Sequence, residues 1–433
     1  MKAKTPSAFR LFAPGLLARA TAAMAIGVGG LVLPWQETQR ITPSDGAFGD
    51  AFGASVALSG SQALIGANQA TWRPGAAYVF VRLGELWIEE TKLAASDGGF
   101  DDRFGDSVGL DGDAAVVGAK LAEVDGNAHQ GAVYVFERMD GVWTEQQKLT
   151  ASDGAKQDTF GSAVAIEGDT VMVSAPSDDI GGNSGQGSIY VFVRQGSAWV
   201  EQQKIVISDG QPSDLLGLSD IAIQGDRAVV GAPSATVDGV NNKGAVYVLV
   251  RVGGVWLEEA RLTAAAATEP ISFGSSVALD GARVVAGARG DTDTAEAQGT
   301  AYVFDKIGDT WVETQRIVAS DAQEFGLFGR RAATYGGRIL VAGRFDTPGN
   351  PGQGAVYFFR RDGAEWVEVQ KVTASDGAGI DGFGSGLAIG QDVFLAGASG
   401  SGVAGAAYFF RRTPLFADGF ESEDTSAWSQ TVP

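Results

Sequence analysis

Residues 160–210 read FGSAVAIEGDTVMVSAP, then SDDIGGNSGQ, then GSIYVFVRQGSAWVEQQKIVISDG, and they hold one full copy of a repeat that runs through the chain. Divided at its turns, the copy predicts four strands, A to D: Ser162–Ile166, Thr170–Ala175, Ser188–Arg194 and Trp199–Val206. Glu167-Gly168-Asp169 joins A to B and Gln195-Gly196-Ser197 joins C to D. Both are short and centred on glycine, which supplies the positive φ that tight hairpins need. Strands A, B and C are apolar on both alternating faces, as in Ile189-Tyr190-Val191-Phe192-Val193, so both faces are expected to be covered. Strand D is rich in charges and amides, the pattern of an edge partly in water.

The copy recurs. Phe-Gly pairs begin at Phe52, Phe104, Phe160, Phe273, Phe328 and Phe383, with a degenerate pair at Leu216-Gly217; the steps are 52, 56, 56, 57, 55 and 55 residues. Tryptophans keep the same beat at Trp35, Trp87, Trp143, Trp199, Trp256, Trp311 and Trp366. A fixed period of this size means an array of one supersecondary unit, because a single unit cannot bury its own faces. Sheets covered on both faces, each with one polar edge, predict an all-β, seven-bladed β-propeller of four-stranded antiparallel blades. The first copy has only a strand D, Trp35–Thr42, and the last stops after strand C at Ala407–Arg412. The N-terminal strand should therefore complete the last blade and close a ring over residues 35–412, leaving no open sheet edge.

Composition narrows the function. The chain has 433 residues with 62 Gly, nine Trp and four Met, which suits short strands and turns rather than helices. It has no cysteine, which excludes disulfides and thiolate metal sites. A net charge of −20 opposes a nucleic-acid or anionic-membrane partner and favours a basic partner or divalent cations. No nucleophile elbow, P-loop, HExxH or CxxC motif is present, and His129 is the sole histidine. A hydrolase would have to work with carboxylates alone.

Residues 1–33 are expected to be a signal peptide or leader: Lys2, Lys4 and Arg10 precede apolar runs, and Ala23-Met24-Ala25 offers a small-x-small cleavage site. The run from Ala20 to Leu33 is too short for a membrane span. Residues 413–433 form a tail in which Asp418-Gly419-Phe420-Glu421 and Asp424-Thr425-Ser426-Ala427-Trp428-Ser429 resemble the DGFExGDTSAWS ending of many secreted Gram-negative proteins, read as a sorting tag.

The pattern from Phe160-Gly161 to Ser174-Ala175-Pro176, or from Gly217 to Gly231-Ala232-Pro233, resembles the FG-GAP repeat that builds the propeller head of integrin α subunits. It is also similar to repeats of exported bacterial proteins, and the similarity spans 35–412. The resemblance implies the seven-bladed fold; it implies little about function, since propellers host unrelated activities. Calcium-binding members lengthen the A–B hairpin into a DxDxDG loop. Here that turn is short, as at Asp111-Gly112-Asp113, and cannot offer the six to eight or so oxygens a hard cation needs, so no metal or other cofactor is expected there.

The B–C loops (120–130, 176–186, 233–243, 289–298 and 344–353) and the D–A loops share one face and are long and variable. Binding on rigid scaffolds tends to live on such loops. Around this face run paired aspartates: Asp97 with Asp102, Asp153 with Asp158, Asp209 with Asp214 and Asp376 with Asp381, along with Asp45 and Asp50. They form a candidate ligand-binding rim for a basic protein surface or Ca²⁺. The plainer reading, which we prefer, is that they are Asx turns serving backbone N–H groups. The seven tryptophans are read as inter-blade packing before sugar stacking, given the area each buries. Arg289-Gly290-Asp291 spells an adhesion tripeptide but reads as drift from the repeat. The expectation is an exported, monomeric, non-catalytic binding or adhesion scaffold, secreted or on a Gram-negative cell surface, that recognises a protein or surface ligand through the loop face. The alternatives are a glycan-binding propeller and, third, a carboxylate-dependent hydrolase.

Overall fold

The computed structural model describes residues 34–69, 74–292, 296–344 and 352–412; the expected leader and tail lie outside the described residues. The described strands form seven four-stranded antiparallel sheets. The first strand is β1 (Trp35–Ile41). Blade 1 holds β2 (Phe52–Ser59), β3 (Gln62–Ala67), β4 (Ala76–Leu83) and β5 (Leu86–Leu93). Blade 2 holds β6 (Phe104–Asp111), β7 (Ala114–Ala119), β8 (Ala132–Met139) and β9 (Val142–Leu149). Blade 3 holds β10 (Val164–Glu167), β11 (Thr170–Ala175), β12 (Ser188–Gln195) and β13 (Ala198–Ile205). Blade 4 holds β14 (Ile221–Gln224), β15 (Arg227–Ala232), β16 (Ala245–Val252) and β17 (Val255–Leu262). Blade 5 holds β18 (Phe273–Asp280), β19 (Arg283–Ala288), β20 (Thr300–Ile307) and β21 (Thr310–Ile317). Blade 6 holds β22 (Arg331–Tyr335), β23 (Arg338–Gly343), β24 (Ala355–Asp362) and β25 (Glu365–Val372). Blade 7 holds β26 (Phe383–Ile389), β27 (Val393–Ala398) and β28 (Ala406–Arg412), and takes β1 as its fourth strand. The register of that closure runs from Trp35 opposite Arg412 to Ile41 opposite Ala407.

Within a blade, the Phe of the Phe-Gly pair seats on the two aromatics of strand C. Phe160 meets Tyr190 and Phe192 edge-on at centroid distances of 5.4 and 6.1 Å, the arrangement aromatic quadrupoles favour. Between blades, packing is close enough to demand glycine in strand B. A Cβ on Gly66 would lie 2.1 Å from the Gly105 carbonyl oxygen of the next blade.

One departure from the expected strand limits lies in blade 3. Strand A of blade 3 begins at Val164 rather than Ser162. Ser174 stands where the other blades mostly carry that glycine, and its hydroxyl accepts from the Ala163 N–H at 2.9 Å while its carbonyl accepts from Gly161 N–H. Blade 4 starts equally late, at Ile221, with Gly231 at that position, so the serine is not the cause. The A strands also differ from expectation in burial. Residues such as Ser55, Val56, Val164 and Ala332 line an axial cavity, so one face of strand A looks onto that space instead of a neighbouring sheet.

Each strand-D tryptophan is buried between blades, with relative exposures from 1 to 9%. At five seams a glutamine of the preceding strand D exchanges two hydrogen bonds with the tryptophan backbone. Gln147 Nε2 donates to Trp199 O at 2.8 Å, and Trp199 N–H donates to Gln147 Oε1 at 2.8 Å. Gln39–Trp87, Gln203–Trp256, Gln315–Trp366 and Gln370–Trp35 repeat it. Thr91 and Ala260 occupy the glutamine position at the other two seams. There Glu90 and Glu259 instead accept from the indole Nε1 of Trp143 and Trp311, each at 3.0 Å.

Candidate functional site

The A–B turns contain two residues in blades 1 to 6, such as Gly112-Asp113 between β6 and β7. Several are tied around the ring: Asp111 Oδ2 accepts from Gly168 N–H at 2.7 Å and Glu167 Oε2 from Gly225 N–H at 2.5 Å. These two carboxylates serve the neighbouring blade, whereas Asp169 and Asp226 pair with Arg194 and Arg251 of their own blades. On the opposite face, the B–C connections reach twelve residues, as between β7 and β8.

The rim aspartates divide into two sets. The first member of each pair turns towards the outer strands of the blade it enters. Asp97 accepts from Tyr134 OH at 2.6 Å and Lys148 Nζ at 2.7 Å, and Asp153 from Tyr190 OH and Lys204 Nζ, both at 2.7 Å. Asp209 accepts from Tyr247 OH at 3.1 Å and pairs with Arg261 at 2.7 Å. Asp376 accepts from Tyr408 OH at 2.7 Å and pairs with Arg40 at 2.9 Å, repeating the motif across the closure. Burial pushes the Asp97 and Asp153 carboxyls up, but the lysine and tyrosine hydrogen bonds outweigh it and hold both below the usual carboxylate range. The matching phenols of Tyr134 and Tyr190 are pushed up, by burial first and then by the carboxylate.

The second members fold back on their own loops. Asp102, Asp158, Asp214 and Asp381 accept from the backbone N–H three residues earlier, at 2.6, 2.6, 2.8 and 2.7 Å. Asp158, Asp214 and Asp381 are buried. Burial raises the Asp158 pKa, opposed by the Ala155 N–H bond and assisted by the nearby Asp178 charge. The structure thus gives each pair two separate sets of internal partners. Among the described residues, no three His, Cys, Asp or Glu side chains converge as a metal site would require.

Blade 5 explains the Arg289-Gly290-Asp291 tripeptide. Its D–A loop carries Ala264–Ala267 and has no aspartate for Tyr302. Asp291 fills that role from the B–C loop: it is buried, accepts from Tyr302 OH at 2.9 Å and pairs with Arg316 at 3.0 Å. The tripeptide is an internal brace.

Two further features of the loop face escaped the sequence reading. Phe48, Phe100, Phe325, Ile380 and Val403 are exposed, at 56 to 78%, in loops of the consecutive blades 6, 7, 1 and 2. Gly49 N–H donates to Val403 O at 2.9 Å, linking two of those loops. The second feature is the axial cavity, of about 510 Å³, lined by the first residues of the A strands and the residues that follow the B strands. Its wall carries Asp106, Lys120, Asp220, Arg289, Arg330 and Arg331 among serines and small apolar groups. Asp106 is satisfied locally by Lys120 at 2.7 Å and Asn68 at 2.5 Å. Aligning the seven copies would have exposed the charged wall, because Arg330-Arg331 stands where the other copies read Ala-Ser, Asp-Ser, Ser-Ala, Leu-Ser, Ser-Ser and Ser-Gly.

The FG-GAP repeat profile matches seven segments: 35–80, 87–136, 143–192, 199–249, 256–304, 311–359 and 366–410. The chain belongs to the FG-GAP repeat family. No curated protein matches the chain. Each FG-GAP segment begins on a strand-D tryptophan and ends on strand C of the next blade, so the family unit spans one seam. FG-GAP propellers are typically non-catalytic. No helix among the described residues is long and apolar enough to cross a membrane.

Proposed function

We propose that this FG-GAP propeller is an exported, non-catalytic binding scaffold that captures a protein ligand on its B–C and D–A loop face. The observation that carries the reading is the arc of exposed Phe48, Phe100, Phe325, Ile380 and Val403 on a ring closed by β1. Exposed aromatic and aliphatic groups gathered on one face mark protein contact surfaces. Apolar residues are exposed on the other face too, but Leu83 with Leu86, Met139 with Val142 and Val252 with Val255 pair across C–D hairpins. Those pairs are explained by hairpin packing.

Glycan stacking on the strand-D tryptophans has less support, since all seven are buried. The rim aspartates enter this reading as supports that shape the loops, with their exposed oxygens adding negative charge around the apolar arc. Export rests on the basic-then-apolar leader and the acidic tail of the sequence.

The test is capture from envelope extracts by the mature chain, with and without calcium. Phe48→Ser combined with Phe100→Ser should abolish capture, whereas Leu86→Ser with Met139→Ser on the other face should leave it intact. Equal capture by all three proteins would overturn the reading.

A further inference from the structure

The wall of the axial cavity is charged in an uneven way. On the blade 2 side, Asp106 and Lys120 neutralise one another. On the blade 5 and 6 side, Arg289, Arg330 and Arg331 line the same space with no carboxylate bound to them among the described residues. Arg331 donates its Nε to Ser385 O at 3.0 Å and Nη1 to Arg330 O at 3.4 Å, both backbone acceptors, and its charge acts on the Asp220 carboxylate without a direct ion pair between them among the described residues. The charges that bear on Arg330 are all guanidinium: Arg331, Arg289 and Arg344. Burial first, and these neighbours second, pull the Arg330 pKa down to about 10, so the group still carries its proton at neutral pH. The one other charge on this wall is Asp220, a carboxylate in a ring position where the other blades have Val56, Val108, Val164, Val277, Ala332 and Leu387.

A chain of net charge −20 has ample carboxylate to pair an internal arginine, as it does for Arg227, Arg283 and Arg316 elsewhere. Arg330 is the costly member of the cluster, lowered by burial and with only guanidiniums bearing on it, and an occupant of opposite charge would relieve it. Arginine forks match the geometry of carboxylate, sulfate and phosphate oxygens. The cavity volume falls within the range of small-molecule sites, roughly 300–1,000 Å³.

We propose that the axial cavity is a binding site for a small oxyanion ligand of at least two negative charges, held by Arg289, Arg330 and Arg331. The site lies where strand A begins, and so opens towards the loop face. It is independent of the protein-capture reading, which uses residues of the outer loops.

The probes are citrate, inorganic sulfate and inorganic phosphate, titrated calorimetrically into the full mature chain at ionic strength held constant with sodium chloride. Saturable one-site binding is expected for at least one of them. Arg330→Gln should weaken it on the order of tenfold, as loss of a charge-assisted bond does. Arg251→Gln, on a strand of blade 4 away from the cavity, should leave it unchanged. If Arg330→Gln does not fold, Arg289→Gln, at an exposed side chain, takes its place. Binding of equal strength in the cavity variant and the wild type would overturn the proposal. So would a response to all three probes that never saturates, since general salt exclusion produces that.

Discussion

Gln370 Nε2 donates to Trp35 O at 2.7 Å, and Trp35 N–H returns a bond to Gln370 Oε1 at 2.8 Å, across 335 residues of sequence. The same exchange joins Gln147 to Trp199 within the body of the ring. Gln370→Ala is expected to destabilise the protein by about 1–3 kcal/mol in urea unfolding, the cost of leaving buried backbone groups unpaired. Removing residues 35–42 should do far more and abolish the cooperative transition, because β28 would then present a bare edge.

Glu259 gives a pH signature. Burial raises its carboxyl, but hydrogen bonds from Lys306, Arg227 and Trp311 reverse that and bring the pKa to about 2. A folded-state pKa below the unfolded one contributes stability that is complete above the unfolded value and is lost as pH falls through the folded value. Stability should therefore fall between about pH 4.5 and 2. Glu259→Gln should lower the melting temperature at pH 7 and flatten its decline in that window, as read by thermal melts at successive pH values.

Asp291 and Asp153 make a matched comparison. Tyr302 relies on Asp291 alone, whereas Tyr190 has both Asp153 and Asp178, at 2.7 and 3.2 Å. Asp291→Ala should cost about 1–3 kcal/mol, since it strands the buried Tyr302 phenol. Asp153→Ala should cost under about 1 kcal/mol, since it loses a partly exposed ion pair while the phenol keeps an acceptor. Chemical denaturation of the two variants reads the difference.

Gly66→Ala tests the closeness of the blades. The added methyl would sit 2.1 Å from the Gly105 oxygen, a backbone atom that cannot swing aside. A loss of about 3 kcal/mol or more is expected. At Gly112, where an added Cβ meets nothing within 4 Å, alanine should cost about 1 kcal/mol from its positive φ alone.

The ring was legible because its signals are periodic. Gly-centred turns, double-sided apolar strands and the beat of Phe and Trp fix strand count, closure and the partner of β1. The rim aspartates were legible as positions, but their partners were not. Tyr134 and Lys148 lie 37 and 51 residues from Asp97, and a hydrogen bond across that separation leaves no local pattern. The axial arginines were missed because Arg330 and Arg331 look like ordinary surface charge until seven A strands are brought to one axis. The buried brace at Asp291 shows the same limit, since its tripeptide reads as an exposed motif only while Tyr302 and Arg316 are out of view.

The replacement of the glutamine by Thr91 and Ala260 makes the seams unequal. Where glutamine bonds the tryptophan backbone at Trp87, Trp199, Trp256 and Trp366, the indole Nε1 is left without a partner. At Trp143 and Trp311 the indole is served by a glutamate that also holds Arg138 or Lys306. At two of the seven joints the tryptophan indole is thus tied to an ion pair, and these fall between blades 1 and 2 and between blades 4 and 5, three blades apart one way and four the other. Acid strong enough to protonate Glu259 would release the indole of Trp311 at one joint, while the glutamine clasps of five others hold no titratable group.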